Sequence, residues 1–146
     1  MSSEVFKDAT RMSGGRASDQ AIVAMEGVYK RFKDFEALKN INFQVGKQEV
    51  VVVIGPSGSG KSTLIRCIAG LEDPSGGSIT LNGRTVYDAG RGINLKVSDR
   101  NLGMVFQNYA LWPHMSVEKN VAYPLRMRKV GKAERDARVG KVLKNL

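Results

Sequence analysis

The chain has 146 residues, of which 42% are hydrophobic and 25% charged, so it has room for one globular domain with a moderate core. No apolar run exceeds five residues and no apolar N-terminal segment is flanked by basic residues, which excludes a membrane-spanning helix and a signal peptide. The single cysteine, Cys67, excludes an internal disulfide and a cysteine-rich metal site, and the net charge of +9 is compatible with an anionic partner.

The first part of the chain predicts a leader followed by strands. Residues 1–20 are rich in Ser, Gly, Lys, Asp and Arg without sustained periodicity, which predicts a disordered leader. Order is expected to begin at residues 21–25. Residues 41–45 alternate apolar and polar side chains, as a half-exposed strand does. Residues 46–48 would turn the chain into the apolar run at residues 50–54, and so short a turn predicts antiparallel pairing.

A glycine-rich segment follows this apolar run, and Lys61-Ser62-Thr63 opens a predicted helix. An unbroken apolar run is typical of a parallel strand that is buried on both faces. The spacing from Gly55 to Ser62 fits G-x-x-x-x-G-K-[ST], the P-loop pattern. The predicted nucleotide-binding residues are Gly55, Pro56, Ser57, Gly58, Ser59, Gly60, Lys61, Ser62 and Thr63.

The physical chemistry of a P-loop assigns a task to each part. Gly55, Gly58 and Gly60 would let successive backbone N–H groups point at phosphate oxygens, and the helix would add the positive end of its dipole. Lys61 would reach the β- and γ-phosphates, and the hydroxyl of Ser62 would ligate Mg²⁺. A flexible glycine linker is disfavoured because the loop lies between a valine run and an apolar helix. We therefore predict a site for a nucleoside triphosphate.

The middle of the chain predicts a hairpin and a further strand. Residues 70–77 contain enough glycine and proline to end the helix in a loop. Residues 78–86 alternate on both sides of an Asn-Gly pair, which is the strongest short hairpin signal. Residues 88–100 are expected to form a loop, and residues 102–106 a short buried strand.

Two helices are predicted in the last third. Ser116 is the expected N-cap of a helix to about Tyr123, where Pro124 would interrupt it. The last helix pairs Glu134 with Arg138 and has an apolar stripe at i, i+3, i+4 and i+7. Because this stripe still needs a partner and few parallel strands are found, we expect the first part of a larger domain. The stripe consists of Val139, Val142, Leu143 and Leu146.

The order of P-loop, hairpin, glutamine and helix resembles the nucleotide-binding subunit of an ABC transporter over about residues 22–146. Residues 55–64 are similar to its Walker A motif and residues 100–107 to its Q-loop. Residues 108–121 resemble the import-type branch, which carries solutes such as sugars, polyamines or ferric iron. The resemblance implies an α/β fold that consists of a P-loop NTPase core and an antiparallel β subdomain. Residues 21–146 would form the N-terminal part of this domain, which is therefore incomplete.

The resemblance also implies roles for single residues, with ATP and Mg²⁺ as cofactors. Phe32 takes the place of the aromatic ring that stacks on adenine, which is worth about 1 to 3 kcal/mol. Tyr29 is the alternative, and a core position for Phe32 is the competing interpretation. Gln107 would ligate Mg²⁺ or orient the attacking water, and it forms the predicted catalytic pair with Lys61. An ordinary polar residue at a strand end is the competing interpretation for Gln107.

Several motifs of that family have no counterpart in the sequence. There is no Leu-Ser-Gly-Gly-Gln signature, no Walker B strand with the catalytic Glu, and no switch His. His114 lies just past the Q-loop, where a surface position is expected. Hydrolysis needs groups that position the water and neutralise the developing charge. We therefore expect the chain to bind ATP weakly and to hydrolyse it poorly or not at all.

The leading hypothesis is an ATP-binding subunit of an ABC importer that couples ATP binding and hydrolysis to solute transport. Its expected partners are transmembrane permease subunits and a second nucleotide-binding subunit, at the cytoplasmic face of the membrane. Four large apolar residues suggest a surface for a permease helix, although they could also be core. These residues are Tyr109, Leu111, Trp112 and Met115.

Three alternatives to an importer subunit remain open. They are a truncated, non-catalytic remnant, a P-loop kinase, and a DNA-associated ABC ATPase. The last depends on the basic tail, because residues 126–146 have eight lysines or arginines against Glu134 and Asp136. Since this excess lies at one end of the chain, where a following segment could balance it, no nucleic-acid partner is expected.

Overall fold

The computed structural model describes residues 21–106 and 111–145, which form two compact units divided between Gly103 and Met104. The first unit contains a five-stranded sheet and one helix, and the second contains two helices. The predicted leader at residues 1–20 lies outside the described residues, as do Gln107 and Tyr109. No helix within the described ranges has both the length and the apolar character needed to cross a bilayer.

The sheet of the first unit is antiparallel throughout, with strand order β2-β1-β3-β4-β5. Its helix α1 follows β2 in the chain. The elements are β1 at Ala21–Phe32, β2 at Phe35–Gly46, α1 at Lys61–Ala69, β3 at Gly76–Leu81, β4 at Arg84–Asp88 and β5 at Ile93–Asn94. The strand predicted at residues 41–45 is confirmed as part of β2, but it pairs with β1.

The hairpin predicted around the Asn-Gly pair is confirmed. Asn82 and Gly83 have φ values of +48° and +75° between β3 and β4. Positive φ at both central residues is the type I′ geometry, whose twist matches that of the paired strands. The loop expected at residues 88–100 is only partly right, because it also contains β5 and a 3₁₀ turn at Val97–Arg100.

One hydrophobic core joins the sheet to α1. Every strand from β1 to β4 contributes buried side chains, and α1 adds two more. Burying each large apolar side chain contributes about 1.5 to 3 kcal/mol, so this cluster accounts for the association of helix and sheet. Its members are Met25, Val28, Leu38, Ile41, Leu64, Cys67, Ile79, Leu81, Val86 and Tyr87.

The buried parallel strand expected at residues 50–54 and the short buried strand expected at residues 102–106 are wrong for the described chain. Neither segment forms a strand, and Val50, Ile54 and Val105 are 89%, 86% and 97% exposed. A strand of this kind is stabilised by ladder partners and by cover on both faces. The edge of β2 that faces away from β1 pairs with none of the described strands, so neither segment has a ladder.

The second unit pairs α2, at Val117–Met127, with α3, at Lys132–Leu143. Ser116 is the N-cap as predicted, since its Oγ accepts a hydrogen bond from the backbone N–H of Lys119 at 3.3 Å. The expected interruption at Pro124 is wrong, because α2 continues to Met127. Proline removes one backbone donor, and at this exposed position in a helix packed against α3 that loss is tolerated.

The apolar stripe of α3 is only partly buried. Val139 is buried, Leu143 is partly covered and Val142 is half exposed, while Leu146 lies outside the described residues. The predicted ion pair between Arg138 and Glu134 is present. The stripe therefore uses Val139 as its main contact within the second unit.

Candidate nucleotide-binding site

The P-loop closes tightly upon itself between residue 55 and the start of α1. A Cβ on Gly55 would lie 2.7 Å from the Oγ of Ser59, and Gly58 has a φ of +79°. The backbone N–H of Ser59 donates to the carbonyl of Pro56 at 3.3 Å. Gly60 has a φ of +89°, and a Cβ there would lie 2.5 Å from the Ala37 carbonyl oxygen. The glycines at these positions therefore permit a compact loop that rests against β2.

Lys61 turns its ammonium back across this loop. Its Nζ donates to the carbonyl oxygens of Gly55 and Pro56 at 2.7 and 2.6 Å and to the Oγ of Ser59 at 3.3 Å. The positive charge is thereby held against the loop rather than extended into solvent. A cation in this position is suited to a polyphosphate.

The first turn of α1 is arranged for an anion. Gly60 is the N-cap, no side chain caps the turn, and no acidic residue lies in it. Uncapped first-turn N–H groups and the positive end of the helix dipole attract negative charge. Ser62 is exposed in this turn and Thr63 is half-buried, while Pro56, Ser57 and Gly58 are exposed in the loop.

A resident metal centre made only of protein ligands is not found among the residues that the structure describes. Mg²⁺ is commonly held by one or two protein oxygens together with substrate phosphates and water. The exposed hydroxyl of Ser62, at the start of α1 beside the loop, fits that donor set. Gln107, the second predicted metal ligand, lies outside the described residues.

Phe32 lies at the end of β1 with 41% of its surface exposed, so it is not a core residue. The ammonium of Lys30 lies 4.6 Å from the centroid of its ring. Phe32 pairs with Phe35 on β2, and Ala37, which Gly60 approaches, is two residues further along that strand. This is about 7 Å of strand, so β2 links the aromatic ring to the P-loop.

Tyr29, the alternative aromatic, is placed differently. Its ring lies against Gly76 of β3, where a Cβ would come within 2.2 Å of the Tyr29 Cε1. The hydrogen bond from the Ser75 N–H to the Tyr29 carbonyl, at 2.8 Å, fixes the same point of β1. Tyr29 and Phe32 are equally exposed, at 41%, but the Tyr29 ring is already packed against β3.

Arg100 fixes the far end of α1, a role that the sequence did not indicate. Its side chain is 2% exposed, and its Nη1 donates to the carbonyls of Cys67 and Ile68 at 2.8 and 3.0 Å. Its Nε donates to Leu95 O at 3.0 Å and its Nη2 to the Oδ1 of Asn94 at 3.1 Å. Desolvation lowers the pKa of Arg100 from its ordinary value. A cation at these last carbonyls complements the helix dipole.

Cys67 of α1 is buried in the hydrophobic core. Burial raises the pKa of its thiol to about 11. The thiol is therefore protonated at neutral pH.

The segment before α2 presents apolar side chains to solvent. Leu111 and Trp112 are exposed, Met115 is partly covered, and His114 is exposed as expected. The Trp112 ring contacts Tyr123, with centroids 5.6 Å apart. Leu111 and Trp112 are thus not core residues, which leaves them available to a partner.

Asn120 holds this segment on α2. Its Oδ1 accepts from the Trp112 N–H at 2.8 Å, and its Nδ2 donates to the carbonyls of Trp112, Met115 and Ser116 at 3.1 to 3.2 Å. One side chain thereby satisfies four backbone groups. This role could not be predicted from the sequence, because an Asn within a helix pattern is ordinarily a surface residue.

Curated relatives share most of this chain. It is 49% identical over 120 residues to the sn-glycerol-3-phosphate import ATP-binding protein UgpC of Rhodopseudomonas palustris, covering 82% of this chain and 31% of that protein. It is 44% identical over 120 residues to the trehalose/maltose import ATP-binding protein MalK of Thermococcus litoralis, covering 82% of this chain and 32% of that protein. The chain thus spans about a third of the length of these relatives.

Solved structures agree with the fold. The ATP-binding cassette MJ0796, solved as a dimer in a post-hydrolysis state with ADP and Pi, is 31% identical with a TM-score of 0.69. The match covers 84% of this chain and 56% of that one, which confirms the predicted class of an incomplete P-loop domain with an antiparallel β subdomain. The family model for ABC transporters matches residues 38–146. This chain therefore belongs to the ABC transporter family.

Proposed function

We propose that the chain is the ATP-binding N-terminal part of an ABC importer subunit, which couples ATP binding and hydrolysis to solute transport. The observation that carries the proposal is the closed P-loop with the Lys61 ammonium held against it and an uncapped helix start behind it. The relatives named as import ATP-binding proteins support the direction of transport. The similarity covers about a third of the length of each of these relatives.

In this proposal, different residues of the site bind different parts of the ligand. The N–H groups of residues 55–63 and the Lys61 ammonium bind the phosphates, and Phe32 stacks on adenine. The Ser62 hydroxyl and Gln107 hold Mg²⁺, which neutralises charge on the phosphates when it is bound. Gln107 would also orient the attacking water.

Hydrolysis by the 146-residue chain is expected to be slow. The sequence contains no signature motif and no Walker B glutamate, so Gln107 would orient the water without a general base and without the motif that completes the site from a second subunit. Binding can still occur, because the P-loop and its helix make the phosphate contacts locally.

The exposed Leu111 and Trp112 support a docking surface for a transmembrane permease. We further propose a second nucleotide-binding subunit as partner and a position at the cytoplasmic face of the membrane. The import names of the relatives support this assembly. A pull-down with the permease should weaken on Trp112→Ala, and unchanged capture would count against docking there.

Calorimetric titration with Mg-ATP tests the nucleotide site. Lys61→Ala should lower the affinity about 10- to 100-fold, because a charge-assisted bond to phosphate is lost. Lys47→Ala, at an exposed lysine before the loop, is the matched control and should bind as the parent chain does. Absence of binding heat from a chain that circular dichroism reports as folded would refute the proposal.

A further inference from the structure

Lys30 makes three contacts that the roles assigned above do not use. Its Nζ lies 2.5 Å from the Oε1 of Glu72, donates to the Asp73 carbonyl at 2.7 Å, and lies 4.6 Å from the Phe32 ring centroid. The Lys30 side chain is only 13% exposed. A lysine so well covered on a small unit is held for its contacts rather than for solubility.

The strand places Lys30 and Phe32 on the same side. Residues i and i+2 of a strand share a face, so the side chain at 30 can lie along the ring at 32. The loop that follows α1 is tied to the same end of β1. The Ser75 N–H donates to the Tyr29 carbonyl at 2.8 Å, and the Arg31 N–H donates to the Ser75 Oγ at 3.0 Å. Glu72 therefore approaches β1 as part of an anchored loop.

These contacts fix the ammonium over one face of the aromatic ring. A cation over a ring face is attracted by the ring quadrupole and restrains the side chain at the end of the strand. A ring restrained in this way loses less freedom when a flat ligand stacks on it. Since Glu72 pairs with the ammonium, the net charge offered to a distant phosphate is small.

We propose that Lys30 is a positioning residue for the nucleotide base: anchored by Glu72, it orients the Phe32 ring for stacking. This inference rests on the proposed function, in which Phe32 stacks on adenine. The inference also assigns a role to the loop after α1. The N-terminal end of α1 would hold the phosphates, and the loop after its C-terminal end would orient the Phe32 ring. The effect of Lys30 should therefore fall on the base and not on the phosphates.

The test compares Mg-ATP with inorganic tripolyphosphate as ligands of the full chain. Lys30→Met should weaken ATP binding about three- to tenfold and leave tripolyphosphate binding unchanged, while Lys30→Arg, which keeps the cation, should retain most of the affinity. Lys33→Met removes the same charge one residue from Phe32 and should change neither ligand. Equal weakening of both ligands by Lys30→Met would overturn the proposal, because it would indicate a general electrostatic or folding effect.

A double-mutant cycle separates this inference from the proposed function. Phe32→Leu should weaken ATP binding, and Lys30→Met added to it should have no further effect. A full additional loss in that background would mean that Lys30 does not act through the ring. If Phe32→Leu leaves ATP binding intact while Lys61→Ala weakens it, the adenine assignment fails and the Lys30 role with it. Glu72→Gln removes the anchor alone, should give the same selective loss, and decides the matter if Lys30→Met does not fold.

Discussion

Gly58 and Gly60 of the P-loop share a positive φ but differ in their surroundings. A Cβ on Gly58 would meet nothing within 4 Å, whereas one on Gly60 would lie 2.5 Å from the Ala37 carbonyl oxygen. Gly58→Ala should therefore cost only the left-handed strain of about 1 to 2 kcal/mol. Gly60→Ala should cost roughly 3 kcal/mol, because displacement of β2 is added. Urea unfolding measures both, and equal losses would contradict the close approach of loop and strand.

Because the Cys67 thiol is buried, the free energy of unfolding should vary with pH in the alkaline range. Burial raises its pKa from 9.0 to about 11, so between these values the unfolded chain releases the thiol proton before the folded chain does. The unfolded state then binds fewer protons, and the free energy of unfolding should decrease as pH rises from 9 to 11 and not below 9. The difference in stability between the parent chain and Cys67→Ala, measured by urea unfolding at each pH, isolates this thiol from the lysines and tyrosines. A constant difference would be inconsistent with the raised pKa.

For single residues, a motif with fixed spacing indicates which side chains will be neighbours. The predicted P-loop residues are consecutive, so they lie together in the loop and the first turn of α1. Arg100 could not be recognised in this way. Its acceptors on α1 are backbone carbonyls 32 and 33 residues earlier in the chain, and any residue type can supply a carbonyl.

Asn120, a residue of α2, holds the segment that precedes this helix. Asn120→Ala should release Trp112, because four backbone hydrogen bonds to that segment are lost, while alanine keeps the helix. Trp112 is the only tryptophan of the chain, so its fluorescence should shift to the red and become easier to quench with acrylamide. Lys119→Ala, at the neighbouring exposed position, should leave the spectrum unchanged. An unaltered spectrum in Asn120→Ala would show that other contacts hold the segment.

Elements that are determined by residues close together in the chain were predicted well, whereas elements that depend on residues far apart in the chain were not. The β3–β4 hairpin follows from the Asn-Gly pair between its strands, and the start of α2 follows from the Ser116 cap. The runs at residues 50–54 and 102–106 have strong strand composition but no ladder in the structure, because a parallel strand depends on neighbours remote in the chain. Composition alone cannot indicate whether such neighbours are present.

For the whole molecule, the structure predicts a sharp contrast in hydrogen exchange. β1 lies between β2 and β3, so amides such as those of Met25 and Val28 should be protected by the full unfolding free energy of the first unit. The amides of residues 51–54 have no ladder and should exchange near the rate of an unfolded peptide. Amide exchange followed by NMR gives both rates in one sample. Strong protection at residues 51–54 would mean that this run is paired in solution.

The family and fold class of the whole molecule were recoverable because several motifs occur in a fixed order. The division into two units was not predicted, because a division depends on which contacts form between elements and not on their order. The arrangement of the site could not be predicted for the same reason, because β2 links Phe32 to the loop through strand pairings that the sequence alone does not determine.

The run at residues 50–54, in which Val50, Val52 and Ile54 are exposed, has a practical consequence for handling the chain. Five β-branched residues without a charge or proline form a segment on which identical chains can stack. The net charge of +9 keeps chains apart in dilute buffer, but the Debye length falls from about 30 Å at 0.01 M salt to about 10 Å at 0.1 M. Colloidal stability of the purified chain should therefore be governed by ionic strength, and low-salt storage should delay precipitation.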